Sequence, residues 1–335
     1  MIRVTDLDSY LASFDGEPGY LDWAAFGPLS PAVRAEAQGD TELLGSGRRS
    51  SIELVDAHVH EARELVAQLL GSDAAHVALQ PSTTYGLMHA VYGLSGGLML
   101  GRGEFPSLTV AATRASEALG AIELQWLEPA DGLITPDVVR DALTDDTRAL
   151  AVSLVDFRTG YRADLPALRD AIGPDRLLIV DAIQGFGVVD ADYSAADVVC
   201  GHGYKWLRAG RGTGFAWFGD RALERIAPIL SGFRGVEGDL PLDVVPPPVP
   251  SAQAFAVSGY DTLAFARLTT ALREIADVGV ATIEAELAAR TADVIFFADR
   301  YEVPVVTPRE PERRAGIVTL EPAPQDAAPL AASLA

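Results

Sequence analysis

The stretch Leu177–Leu207 reads LLIVDAIQGFGVVDADYSAADVVCGHGYKWL, and its two halves decide the fold. Four apolar residues, Leu177 to Val180, run straight into Asp181, with Gln184 three positions further on. A second apolar run, Val198 to Cys200, delivers His202, Tyr204 and Lys205. Short, wholly apolar runs of this kind predict strands buried on both faces of a parallel sheet. An acid and a lysine at the carboxyl ends of two such strands stand where open α/β sheets bind their ligands. The expectation is that Lys205 holds a cofactor and Asp181 tunes it.

Outward from this stretch, strands and helices alternate. Apolar residues at 52, 55, 59, 62, 66 and 69 predict an amphipathic helix over Ser51–Leu70, stopped by Gly71. Strands are expected at Val77–Leu79, Leu98–Leu100, Ala121–Trp126, Ala149–Leu154 and Gly214–Phe218, with helices between them. The pattern is that of a doubly wound α/β domain. Before it come a short helix, Thr5 to Phe14, and an extended piece, YLDWAAFGPLSPAV, that turns at Gly27 and Pro28. After it, GVEGDLPLDVVPPPVPS (235–251) carries proline too densely for an element interior and reads as a linker or lid. One long helical pattern, Leu263 to Phe297, is followed by strands near Val303–Val306 and Ile317–Leu320 and by an uncapped final helix.

A chain of 335 residues, 49% hydrophobic and 22% charged, is globular and long enough for two domains. Its net charge of -21 argues against nucleic acid or an anionic membrane as partner. One cysteine, Cys200, excludes an intrachain disulfide framework. With no basic and apolar leader and no membrane-length apolar run, the expected location is the cytoplasm.

Two motifs are set aside. VDAHVHE (Val55–Glu61) has the His-x-His spacing of metal-dependent hydrolases. On a helix, however, His58 and His60 do not share a face, so a solvated helix surface is expected and no metal. GRGTG (Gly210–Gly214) precedes a strand rather than a helix, so it reads as a tight turn and not a dinucleotide loop.

A lysine that bonds pyridoxal phosphate needs a carboxylate for the pyridine nitrogen, so that the ring can act as an electron sink. It needs helix-terminal amides and hydroxyls for the phosphate, and an aromatic or imidazole face for the ring. It must also lose its own charge. Asp181 supplies the acid; Ser82, Thr83 and Thr84, in PSTT before a helix, are candidates for the phosphate; Phe105, in GEFPS, is a candidate for the ring.

These segments resemble the class V aminotransferase family, the fold type I pyridoxal-phosphate group with cysteine desulfurases, kynureninases and isopenicillin-epimerase-like proteins. The matching stretches are YLDWAAFGPLSP, QPSTTYGLMHAVYGL, GEFPS, VSLVDFRTGYRADL, VDAIQGFG and GHGYKWLRAGRGTGFAWF, over roughly 20–220. The resemblance implies a large domain with a mixed, mostly parallel sheet flanked by helices (21–240), behind an N-terminal arm (1–20). A smaller α+β domain, apparently shortened, would follow at 241–335. It implies that Lys205 is the imine lysine and proton shuttle, that Asp181 meets the pyridine nitrogen, and that Gln184 reaches the phenolic oxygen. Thr83 and Thr84 would cradle the phosphate with His202 and Tyr204, and Phe105 would stack on the ring. It implies a homodimer with a shared site, in which Gly259 and Tyr260 stand where a partner often offers Gly-Thr to the phosphate; Tyr260 departs from that pattern.

The reaction is less determined. Persulfide chemistry needs a mobile cysteine in the C-terminal half, and Cys200 is on a core strand. FPS and FRTG (Phe157–Gly160) are kynureninase-like, but Gln184 replaces the usual histidine. The C-terminal arginine segment that holds the substrate carboxylate in the family is not found, which leaves Arg158, Arg162 and Arg234 as substitutes. The expected activity is that of a pyridoxal-phosphate enzyme on a small amino acid, most simply an aminotransferase. The alternatives are a Cα or Cβ lyase or hydrolase, or a non-catalytic cofactor-binding homologue.

Overall fold

The computed structural model describes residues 6–238 and 244–334. The expected helix start at Thr5 and the middle of the proline-rich stretch, 239–243, lie outside them. The N-terminal part carries α1 (Leu7–Ala12), α2 (Pro31–Gly45) and α3 (Arg49–Leu69). Alternation then begins with β1 (Val77–Gln80), α4 (Thr83–Tyr92), β2 (Gly96–Gly101) and α5 (Pro106–Leu119). It continues through β3 (Ile122–Leu127), α6 (Pro136–Ala142), β4 (Thr147–Ser153) and α7 (Leu165–Ile172). Next come β5 (Leu177–Asp181), β6 (Val198–His202), β7 (Gly214–Phe218) and α8 (Asp220–Arg225). The remainder is α9 (Thr262–Val278), α10 (Val280–Arg300) and α11 (Pro324–Leu334).

The strands form one sheet in the order β1-β7-β6-β5-β4-β2-β3. β7 runs antiparallel to both its neighbours and the other pairs are parallel. β5 and β6 are buried along their whole length. Their side chains alternate between two cores, as the strand period requires. Leu178, Val180 and Val199 face one that also takes Ala62 and Val66 of α3, together with Phe265, Leu268 and Ile275 of α9. Leu177, Ile179, Val198 and Cys200 face the other, with Leu87 of α4, Leu108 of α5 and Phe255. α9 thereby fastens the segment after 250 to the sheet.

Three expectations are corrected. The extended piece from Tyr20 passes into α2, whose start carries a Ser30 side-chain cap and Pro31 in the first turn; that pair is itself a helix-start signal. The long helical pattern is two helices broken at Gly279, where φ is 87° and the α9 C-cap needs a left-handed residue. The strands expected near 303–306 and 317–320 reduce to a single bridge, Val305 to Leu320. The GRGTG turn is as expected, with Gly210 and Gly212 at positive φ and β7 starting at Gly214.

Candidate active site

The carboxyl ends of β1, β2, β4, β5 and β6 open on one edge of the sheet. The antiparallel β7 starts there too, with Gly214 opposite both Gln80 and His202. A Cβ on Gly214 would lie 2.6 Å from Ser82 Cα, so the loop before α4 lies directly on β7. This close approach sets Ser82, Thr83 and Thr84 beside the end of β6.

Asp181 ends β5 and is 2% exposed. Its Oδ1 accepts the Ile183 N–H at 3.1 Å, whereas its Oδ2 has no hydrogen-bond partner. Burial pushes the carboxyl up to about 6, against the pull of that hydrogen bond and of the Lys205 charge. Lys205 is 5% exposed, and burial lowers its ammonium pKa, opposed mainly by Asp181. His202 is buried, its Nε2 is unpartnered, and burial aided by Arg211 and Lys205 lowers it to about 4, which keeps the ring neutral. The His202 and Tyr204 rings meet edge to face at 4.5 Å.

Ser82 caps α4 through the Tyr85 N–H, and Thr83, in the first turn, is buried with an unpartnered Oγ1. Thr84 Oγ1 and Ser107 Oγ are 2.7 Å apart, tying α4 to α5. Phe105 stands at the start of α5, edge on to Phe157 at 5.1 Å, with 36% of its surface exposed. Lys205 Nζ lies 5.6 Å from its ring centre.

Gln184 is engaged at both ends of its amide: Nε2 donates to Ala24 O at 3.0 Å and Oε1 accepts from Trp206 Nε1 at 2.8 Å. One amide hydrogen remains for a ligand. Tyr260 donates its hydroxyl to Gln253 Oε1 at 2.8 Å and lines a cavity with Gln80, Pro81, Tyr85 and Ser258. Of the arginines considered for the substrate, Arg158 is paired with Asp156 and Arg162 with Glu284, while Arg234 is exposed beside Phe233.

Three features escaped the sequence reading. Lys205 is the chain's only lysine, so the other 25 of its 26 basic residues are arginine; a residue count reveals this at once. Arg211, in the turn set aside as a decoy, lies 4.7 Å over the Tyr204 ring and has no ion pair among the described residues. Glu104, beside Phe105, is buried and accepts from Ser153 N at 3.2 Å and Ser153 Oγ at 2.5 Å. It emerges only once β2 and β4 are known to be neighbours.

The unpartnered Asp181 Oδ2, His202 Nε2 and Thr83 Oγ1 are what a group carrying a ring nitrogen and a phosphate would satisfy, since buried polar atoms are otherwise nearly always bonded. The description of the aminotransferase class-V family matches residues 19–334. The chain belongs to that family. Class V enzymes of this kind depend on pyridoxal phosphate, and this member carries the donor set for it. It is 29% identical to a kynureninase of Deinococcus radiodurans over 320 residues, 89% of this chain and 76% of that protein. It is 28% identical to a probable cysteine desulfurase of Aeropyrum pernix, over 81% of this chain and 70% of the other. The fold matches the apo cysteine desulfurase of Thermococcus onnurineus at a TM-score of 0.82 and 19% identity, covering 94% of this chain and 82% of that one. It also matches the cystine C–S lyase C-DES with its product cysteine persulfide, at 0.84 and 18% identity, covering 94% and 87%. No helix of the described residues is long and apolar enough to cross a membrane.

Proposed function

We propose that this class V enzyme cleaves a small amino acid at its side chain, as a lyase or hydrolase, with Lys205 as the covalent and proton-moving residue. The observation that carries the assignment of Lys205 is its singularity: the one lysine in the chain is buried, and its charge acts on Asp181 and His202, each of which has an unsatisfied polar atom. The family accommodates transamination equally, and that is the second reading; the similarity to a kynureninase over most of the chain puts cleavage first.

Pyridoxal phosphate, when bound, supplies an electron sink for bonds at the substrate's α-carbon. Asp181 would hold the ring nitrogen's proton through Oδ2, and a cationic partner there would keep its carboxyl ionised. Thr83, Thr84 and the Ser82 loop would receive the phosphate at the α4 N-terminus. His202 would donate from Nε2 as a neutral ring, and Tyr204 would contribute its hydroxyl. Phe105 would cover one face of the ring, and Gln184 would donate its remaining amide hydrogen. Arg211, without an ion pair among the described residues, offers its guanidinium to an anion, either the phosphate or a substrate carboxylate. Lys205 moves a proton readily because burial already disfavours its charged form.

A homodimer, cytoplasmic in location, belongs to the same proposal, with the exposed Gly259 turned toward a partner and Tyr260 held on its own chain by Gln253. So does the division into an arm (1–20), a large domain (21–240) and a smaller one (241–335), with α9 as the fastening. Product analysis with a panel of amino acids separates the two reactions. Cleavage releases pyruvate, alanine or sulfide continuously and leaves the visible spectrum as it began. Transamination stops after one turnover, with absorption shifted to the near ultraviolet, until a keto acid is added.

A further inference from the structure

The two helices ahead of the sheet bring together three ligating side chains that play no part in the site above. Glu36 and Asp40 are one turn apart on α2, and His58 is on α3. His58 Nε2 lies 3.2 Å from Glu36 Oε1 and 3.3 Å from Asp40 Oδ2. All three ligand atoms lie within 4.8 Å of one another. The side chains retain 18%, 7% and 12% of their surface for Glu36, Asp40 and His58. The expectation of a solvated face therefore holds for His60, which is exposed, and fails for His58. His58 meets carboxylates from a helix the sequence reading did not anticipate.

The charges do not balance. Among the described residues, neither carboxylate has an ion pair other than with His58. Two carboxylates against one imidazole leave a negative excess even when the imidazole is protonated. Asp40 Oδ2 makes no hydrogen bond, although its side chain is more than nine-tenths buried. A buried carboxylate oxygen with no hydrogen bond, beside an imidazole it shares with a second carboxylate, is costly unless a further cation meets it.

We propose that Glu36, Asp40 and His58 bind one divalent first-row transition ion, with Zn²⁺ as the reference case. One imidazole and two carboxylates suit Zn²⁺ and its neighbours, whereas Mg²⁺ prefers oxygen and water. Bonds of about 2.0–2.2 Å place neighbouring donors roughly 3.0–3.4 Å apart around such an ion. The two contacts of His58 already have that spacing. The ion would pin α2 to α3 at the point where Thr269 Oγ1 of α9 donates to His58 O at 3.0 Å. Its role is to hold the helical layer over the sheet, away from Lys205.

Equilibrium dialysis of the purified, chelator-treated full chain against ZnCl₂, with a thermal scan, tests this. The expected result is one Zn²⁺ per chain and a rise of several degrees in Tm at Zn²⁺ well above Kd. MgCl₂ at the same concentration should produce neither. His58→Gln and Glu36→Gln should each weaken binding at least tenfold and remove the shift, while His60→Gln leaves both intact. Substoichiometric binding in the wild type overturns the proposal. So does stoichiometric binding that survives Glu36→Gln, the more exposed position and hence the variant that decides if His58→Gln fails to fold.

Discussion

Lys205 Nζ lies 5.6 Å from the centre of the Phe105 ring, which joins the loop after β6 to the loop after β2 across two intervening strands. The Tyr204 ring stands at 5.5 Å. Two aromatic rings and the buried Asp181 thus enclose the ammonium group, and burial is the largest influence lowering its pKa.

Glu104 introduces a pH dependence into the cofactor-free protein. Burial pushes its carboxyl up to about 7, opposed by the Ser153 hydrogen bonds and aided by the charges of Asp181 and Asp156. A carboxyl with a raised folded-state pKa contributes stability that is complete below about 4.5 and is lost as pH rises through about 7. His202 has the opposite sign: its pKa falls from 6.5 to about 4, so its contribution grows as pH rises through that window. The comparison must therefore be with a single variant. Glu104→Gln should gain stability relative to wild type between pH 5.5 and pH 8.5, by a few kcal/mol, in urea unfolding at both pH values. A wild-type to variant difference that does not change with pH contradicts the assignment.

Trp206→Phe should leave Gln184 Oε1 without its donor and destabilise the fold by about 1–3 kcal/mol. Because Gln184 also holds Ala24 O, the segment around Ala24 should loosen with it. Hydrogen exchange over residues 20–28 is the measurement, and unchanged protection there would show that the Gln184 contacts do not hold this segment.

The sheet and its edge were legible because buried parallel strands are uniformly apolar: LLIV and VVC admit few other readings. Asp181 closes β5, Thr83 opens α4 and Phe105 caps α5, so the ends that carry them followed from the alternation. α2 was less legible because its mixed surface, with Gly39 and several polar residues, blurs the helical period. The break at Gly279 was hidden because apolar spacing continues across it. Glu104 could not be read because it needs Ser153 from the distant β4, and the Glu36–Asp40–His58 cluster because it needs α2, the helix before α3 that the sequence pattern hides.

Gly27→Ala should disturb the site from outside it. A Cβ there would lie 1.9 Å from Lys205 O, and Gly27 N donates to Tyr204 O at 2.9 Å. Relieving that clash moves either the N-terminal segment or the lysine loop, at about 1–3 kcal/mol. Cofactor titration should show an affinity roughly tenfold or more weaker, with far-ultraviolet circular dichroism unchanged. Wild-type affinity in this variant would mean the loop accommodates the methyl freely.

Cys200 should be chemically silent. It is fully buried on β6, beneath Gly86 of α4, and burial raises its thiol well above the usual range. Iodoacetamide should label it only after unfolding, and Cys200→Ala should retain cofactor binding and amino-acid turnover within about twofold. Loss of turnover with cofactor still bound would restore a sulfur-carrying role for this thiol.

The central claim is that the chain's single lysine bonds pyridoxal phosphate. Borohydride reduction of the protein with the cofactor, followed by digestion and mass spectrometry, tests it directly, because only the terminal amine competes with Lys205. One reduced cofactor per chain, on Lys205, is the expected result, with no borohydride-fixed cofactor on the equivalent peptide of Lys205→Ala. A label confined to the terminal amine, or full covalent labelling that persists in Lys205→Ala, would contradict it.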